Sequence, residues 1–233
     1  MPAARGKRFP RAAGESKETE QNNRHEKEYI MAINLQKGQK VSLKKNSGSG
    51  LGEILVNLNW NAAPAKKKKG LLSGIFGGPK GIDLDLGCLY ELKDGSKGTV
   101  QALGNAFGSL QSPPYIALDG DDRTGDAAAG ENLRINGNRI AEIRRILVYT
   151  FIYEGIANWQ QADAVVTIRY PGAEDIIVKM DEWNSSDIMC GLVLFENSGD
   201  ETFNAEKIVR FFPGHQALDE AFHWGLRWRA GRK

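Results

Sequence analysis

The sequence predicts an all-β protein, a β-sandwich of two antiparallel sheets with a short C-terminal helix. Three observations carry that prediction. Apolar and polar residues alternate at period two through several short segments. Gly, Pro, Asn and Asp separate those segments at short, regular intervals, as in sandwiches and barrels rather than alternating βαβ units. Helical spacing is confined to one stretch near the C-terminus, after a Pro–Gly break.

The elements follow in order. Residues 1–30 are rich in Arg, Lys, Glu, Gln and Asn, with Phe9, Tyr29 and Ile30 as the large apolar exceptions. Such a segment cannot bury enough surface to offset its ordering entropy, so a disordered tail is expected there. The folded domain is expected over 31–233, opening at Met31, and Met1 and Met31 both stand as candidate translation starts. In 53–60, Ile54, Val56, Leu58 and Trp60 alternate with Leu55, Asn57 and Asn59. A Lys- and Gly-rich loop follows over 61–81. The next strand is expected over 82–92, ending at the turn formed by Asp94 and Gly95. Further strands are expected near 98–103, 115–118, 131–135, 145–154, 163–170, 174–180, 188–196 and 206–212. The helix is expected over 215–224, with Ala217, Ala221, Phe222 and Trp224 at helical spacing.

Composition excludes several classes of function. The chain has 233 residues and a formal net charge of +2, from 31 Lys+Arg against 29 Asp+Glu. That balance argues against a dedicated nucleic-acid binder. The N-terminus lacks the apolar core of a secretory signal, and no segment reaches the ~20 apolar residues of a membrane span. Cys88 and Cys190 are far apart, each in an apolar segment, which suits reduced core thiols in a cytoplasmic protein. There is no G-x-S-x-G elbow, and the sequence reads as non-enzymatic.

The chemistry-bearing feature is acidic. Period-two alternation puts Asp83 and Asp85 on one face of their strand, about 7 Å apart. A second element runs from Asp119 through Asp121, Asp122, Thr124 and Asp126 to Glu131 and Asn132, with Arg123 as its one cation. Carboxylates at that density repel one another and attract a cation. Hard oxygen donors in Gly-bent loops suit Ca2+ better than Mg2+ or Zn2+, and His25, His215 and His223 lie far away in sequence. By themselves these residues fit either a calcium site or a solvated acidic loop. They do not form an EF-hand: with Asp119 as position 1, Thr124 takes the glycine position and Gly130 the place of the bidentate Glu.

Several motifs in order give a resemblance. GIDLDLGCLYEL with Trp60 upstream, then LDGDDRTG and GENLRIN, resembles the TerD family of tellurium-resistance and stress proteins. The closing GH-x-x-LD-x-x-x-x-WG-x-x-W, from Gly214 to Trp228, is most similar to the family's TerA branch. The resemblance covers about 31–233. It implies a calcium-binding β-sandwich without established catalysis, with Asp83 and Asp85 matching the DLD motif and Gly120, Asp121, Thr124 and Gly125 matching GD-x-x-TG. Ala127, Ala128 and Ala129 stand where other members carry acidic residues, so one or two Ca2+ ions are expected. Other Ter-type stress proteins are the expected partners, with no nucleic acid. The expected location is the cytoplasm, with peripheral inner-membrane association as a further option. Two alternatives from other classes are a metal-dependent hydrolase of a phosphate-containing metabolite, and a metal-independent membrane-surface adaptor. The adaptor would use Lys66, Lys67, Lys68 and Lys69, ahead of Leu71, Leu72, Ile75 and Phe76, at an anionic lipid surface. A solvated lysine run in a mobile loop is the bland reading of the same residues.

Overall fold

The computed structural model describes residues 32–43, 50–61, 81–119, 130–155, 158–181, 183, 186–229 and 231. The expectations for 1–30, for Lys66, Lys67, Lys68 and Lys69, and for Asp121, Asp122, Thr124 and Asp126 lie outside these residues.

Two sheets pack face to face. The first contains β1 (Ile33–Asn34), β3 (Glu53–Asn59), β6 (Gly108–Ser109), β7 (Ile116–Leu118), β8 (Glu131–Asn136), β10 (Val165–Arg169) and β11 (Ile176–Lys179), in the order β1-β11-β10-β3-β8-β7-β6. The second contains β2 (Lys40–Ser42), β4 (Asp83–Leu92), β5 (Lys97–Gln101), β9 (Ile143–Glu154), β12 (Met189–Ser198) and β13 (Thr202–Phe212), in the order β2-β13-β12-β9-β4-β5. The sandwich is thus as expected, with one departure. β1 runs parallel to β11, which makes the first sheet mixed. The short β1, β2 and β6, and the one-turn helix α1 (Trp159–Ala162), were not separable in the sequence because each is too short to show a period.

Alternation explains which residues enter the core. Ile54, Val56 and Leu58 of β3 meet Leu84, Leu86 and Cys88 of β4, with Ile146, Val148 and Ile152 of β9, between the two sheets. The first sheet turns a polar face outward. There Asn57 donates from Nδ2 to Asn132 Oδ1 at 2.9 Å, and Arg134 lies between Asp119 and Glu53.

The second sheet is buried on both faces. Leu89 on β4, Leu147, Tyr149 and Phe151 on β9, and Met189 on β12 form a separate apolar layer on its outer side. Gly87 on this face leaves room for the Tyr149 ring, whose Cε2 would lie 2.7 Å from a Cβ there. The cover comes from the end of the chain. After β13 the chain turns at Pro213 and Gly214 into α2 (His215–Ala221), seven residues long, and then continues without regular structure across the sheet. Leu218, Trp224, Leu226 and Trp228 all pack on the outer layer. The expected helix over 215–224 therefore ends early, at Ala221. Trp159 and Trp224 are buried and serve packing, at 2% and 1% exposed.

Candidate functional site

Asp83 and Asp85 lie at the end of the second sheet where β4 begins. Asp85 shares its parity with Gly87 and Leu89, so it faces outward from the sandwich, and it is nonetheless fully buried. Its register partner on β9 is Phe151. Asp83 is half-buried and stands opposite Glu154, just past an irregularity in the pairing of β4 with β9. Like charges in that cross-strand position repel, so a nearby cation would stabilise the pair. Glu154 was missed in the sequence because its proximity to Asp83 depends on strand register and on the bulge.

Glu131 approaches from the other sheet. As the first residue of β8 it points inward, like Leu133 and Ile135, and is 3% exposed. β5 ends opposite Gly87, and the next residue back, Leu86, donates its amide to Glu131 Oε2 at 2.6 Å. This bond ties the end of the acidic 119–132 segment to the residue beside Asp85. The two acidic elements, 45 residues apart at this contact, thereby meet across the sandwich.

The same segment is closed at its base, where the Asp119 amide donates to Asn132 O at 3.0 Å. The side chains of these two residues nevertheless lead elsewhere. Asp119 accepts from Arg134 Nε at 2.6 Å (Oδ1) and 2.8 Å (Oδ2), on the outer face of the first sheet. Hydrogen bonds to Asp119 and then Glu53 push the Arg134 guanidinium above even its ordinary high value. Asn132 pairs with Asn57 on that same face. Of the described candidates, then, the structure brings Asp83, Asp85 and Glu131 to one end of the sandwich, and turns Asp119 and Asn132 to its flank. Adjacent residues in a strand face opposite ways, which is why Glu131 and Asn132 part company.

The donor set of Asp83, Asp85 and Glu131 is all oxygen, the chemistry that calcium requires. Among the described residues no group of three or more His, Cys, Asp or Glu is close enough to hold an ion by itself. A complete coordination sphere would need further oxygen donors.

Gly130, at φ +63°, delivers the chain from that segment into β8. A Cβ there would lie 2.1 Å from Leu58 O, so an L side chain meets both a strained backbone angle and a carbonyl oxygen that cannot swing aside. Gly130→Ala is expected to destabilise the fold by about 1–3 kcal/mol or more, read as a lower denaturant midpoint.

The two-layer β-sandwich defines the class of protein. The TerD domain model matches residues 31–171. A tellurium resistance protein TerA from Alcaligenes sp is 44% identical over 193 residues, covering 83% of this chain and 56% of that protein. A tellurium resistance protein TerX from Serratia marcescens is 35% identical over 218 residues, covering 84% of this chain and 91% of that one. The crystal structure of a homologue of the telluride resistance protein TerD from Streptomyces coelicolor shares the fold, with a TM-score of 0.52 and 18% identity over 73% of this chain and 95% of that one. The chain belongs to the TerD family, and it spans just over half the length of the TerA relative. No helix among the described residues is long and apolar enough to cross a membrane.

Proposed function

We propose that this protein is a calcium-binding, non-enzymatic scaffold of the tellurite-resistance and general stress response, assembling with other Ter-type proteins in the cytoplasm or at the inner membrane face. The observation that carries the calcium reading is the 2.6 Å bond from the Leu86 amide to Glu131. It joins the strand bearing Asp83 and Asp85 to the far end of the acidic segment, so one ion could reach donors from both. Asp83, Asp85 and Glu131 would hold it, together with Asp121, Asp122, Thr124 and Asp126 by their place in the sequence. Calcium accepts six to eight oxygens in flexible geometry and would neutralise carboxylates that otherwise repel. The chain's own contribution is to exclude water from Asp85 and to fix Glu131 by a backbone donor. A bound ion would therefore brace the open end of the sandwich and the surface presented there to a partner. The non-enzymatic reading is supported by relatives whose names describe resistance rather than a reaction.

Thermal melts with CaCl2, MgCl2 and EDTA test this. Calcium at about a hundred times its dissociation constant is expected to stabilise the fold by ~2.7 kcal/mol, and magnesium by less. Asp83→Ala and Asp121→Ala should each lose most of that increment. A wild-type melt indifferent to calcium would sink the reading. Turnover of a phosphate-ester panel that disappears in Asp83→Ala would replace it with the hydrolase.

A further inference from the structure

The segment from Pro213 onward lies across the outer face of the second sheet, and it reaches the neighbours of Asp85. His215 is held between two aromatic rings of β9, with centroids 4.9 Å from Phe151 and 5.4 Å from Tyr149. Phe151 is the residue directly opposite Asp85. His215 Nε2 lies 3.0 Å from Gln101 Oε1, which also accepts from the Tyr149 hydroxyl at 2.7 Å. Gln101 and Tyr149 are the two register partners of Gly87, the next outward residue of β4 after Asp85. The segment thus bears on the same layer of side chains that borders the buried carboxylate.

The segment is itself organised as a unit. Asp219, 3% exposed, accepts from the amides of Gly225 at 2.7 Å and Leu226 at 2.9 Å, and from Trp228 Nε1 at 3.1 Å. That carboxylate folds the chain after α2 back over the helix and sets the Trp228 ring 4.9 Å from His215. A helix of seven residues has no stability of its own, so the segment holds its place through these tertiary contacts or not at all.

We propose that this C-terminal segment is a strap whose docking and the binding of calcium at Asp83 and Asp85 favour one another. The inference rests on the calcium reading above and adds to it a regulatory linkage. With the strap docked, Phe151, Tyr149 and Gln101 are fixed and water is kept from the face that Asp85 shares. Releasing it hydrates that layer and frees the carboxylate to move, which costs the preorganisation that tight coordination needs. Linkage is reciprocal: whatever factor the strap contributes to calcium affinity, calcium returns to strap docking.

Calorimetric titration of CaCl2 into the full chain, at a temperature where each variant is folded, tests this. Trp228→Ala is expected to weaken calcium binding about fivefold or more, and Trp228→Phe, which keeps a ring against His215, to restore most of it. Hydrogen exchange on the unaltered chain gives a second measurement that needs no variant. Calcium is expected to slow the Gly225 and Leu226 amides and to leave the Ser96 amide, in the β4–β5 turn, unchanged. An unaltered affinity in folded Trp228→Ala, or equal exchange of Gly225 and Leu226 with and without calcium, overturns the linkage while leaving the calcium site standing. A wild-type chain that binds no calcium overturns both.

Discussion

Trp224→Ala is expected to cost the fold about 3–5 kcal/mol, the range for deleting a buried aromatic side chain. Trp224 is 1% exposed and fills the outer layer together with Leu89, Leu147 and Phe212. Its indole Nε1 donates to Tyr90 O at 3.0 Å, a bond that truncation removes. The Arg145 guanidinium lies 3.8 Å from the ring centroid, and the same side chain donates to Phe222 O and His223 O. Lys97 completes the latch by donating to Trp224 O at 3.0 Å. Beneath it, Glu91 is 5% exposed and accepts from Arg145 at 2.7 Å and Arg144 at 3.1 Å. Burial works to raise the Glu91 carboxyl, but Arg145, Lys97 and Arg144 outweigh it and hold the group below its usual range. Losing the indole would leave a cavity and expose this charge cluster to water. Trp228→Ala, at a half-buried position, should cost less. Equilibrium urea unfolding checks both, and a loss below about 1 kcal/mol for Trp224→Ala would mean that the strap contributes little to the stability of the sheet.

Acidification from pH 6.5 to 4 is expected to remove about 3 kcal/mol of stability through His215 alone. Burial lowers this imidazole from 6.5 to about 4, so it is neutral in the folded protein at pH 7. The folded value is depressed and the group is cationic when protonated, so the unfolded chain binds the proton more readily. The stability is therefore complete above pH 6.5, falls as pH drops through the window, and is lost below about 4. Protonation would place a cation among the Phe151, Tyr149 and Trp228 rings where burial denies it hydration, and that lost hydration is where the cost arises. Glu91, Asp181 and Asp200 are each held below their ordinary values, so their losses come at lower pH. Unfolding of the wild type and His215→Gln, compared across pH 7 to 4, isolates the effect. Parallel stability profiles for the two proteins would rule it out.

His215 also illustrates what the sequence could not convey. From spacing, His215 and His223 read as ordinary residues of one helix. The helix ends at Ala221, His223 lies beyond it with φ +53°, and His215 belongs to a buried cluster. Lys207 is a parallel case. Its parity with Phe203, Ala205 and Val209 directs it inward, and it is 1% exposed, where a lysine in sequence suggests an exposed face. Its ammonium finds Asp181 at 2.9 Å, a partner 26 residues away that only the packing of the sandwich provides.

Local sequence determined the longer strands, because alternation at period two is a property of consecutive residues and survives any tertiary arrangement. It also determined that Asp83 and Asp85 share a face and that Glu131 and Asn132 do not. The near-continuous apolar run in β9 is buried on both faces, and nothing in it identifies the cover. Tertiary structure alone decided which face of β4 is outer, that the C-terminal strap covers it, and that Glu131 bonds the residue next to Asp85 while Asp119 is drawn to Arg134. Those outcomes depend on register and on contacts between residues far apart in the chain, and no local pattern encodes either.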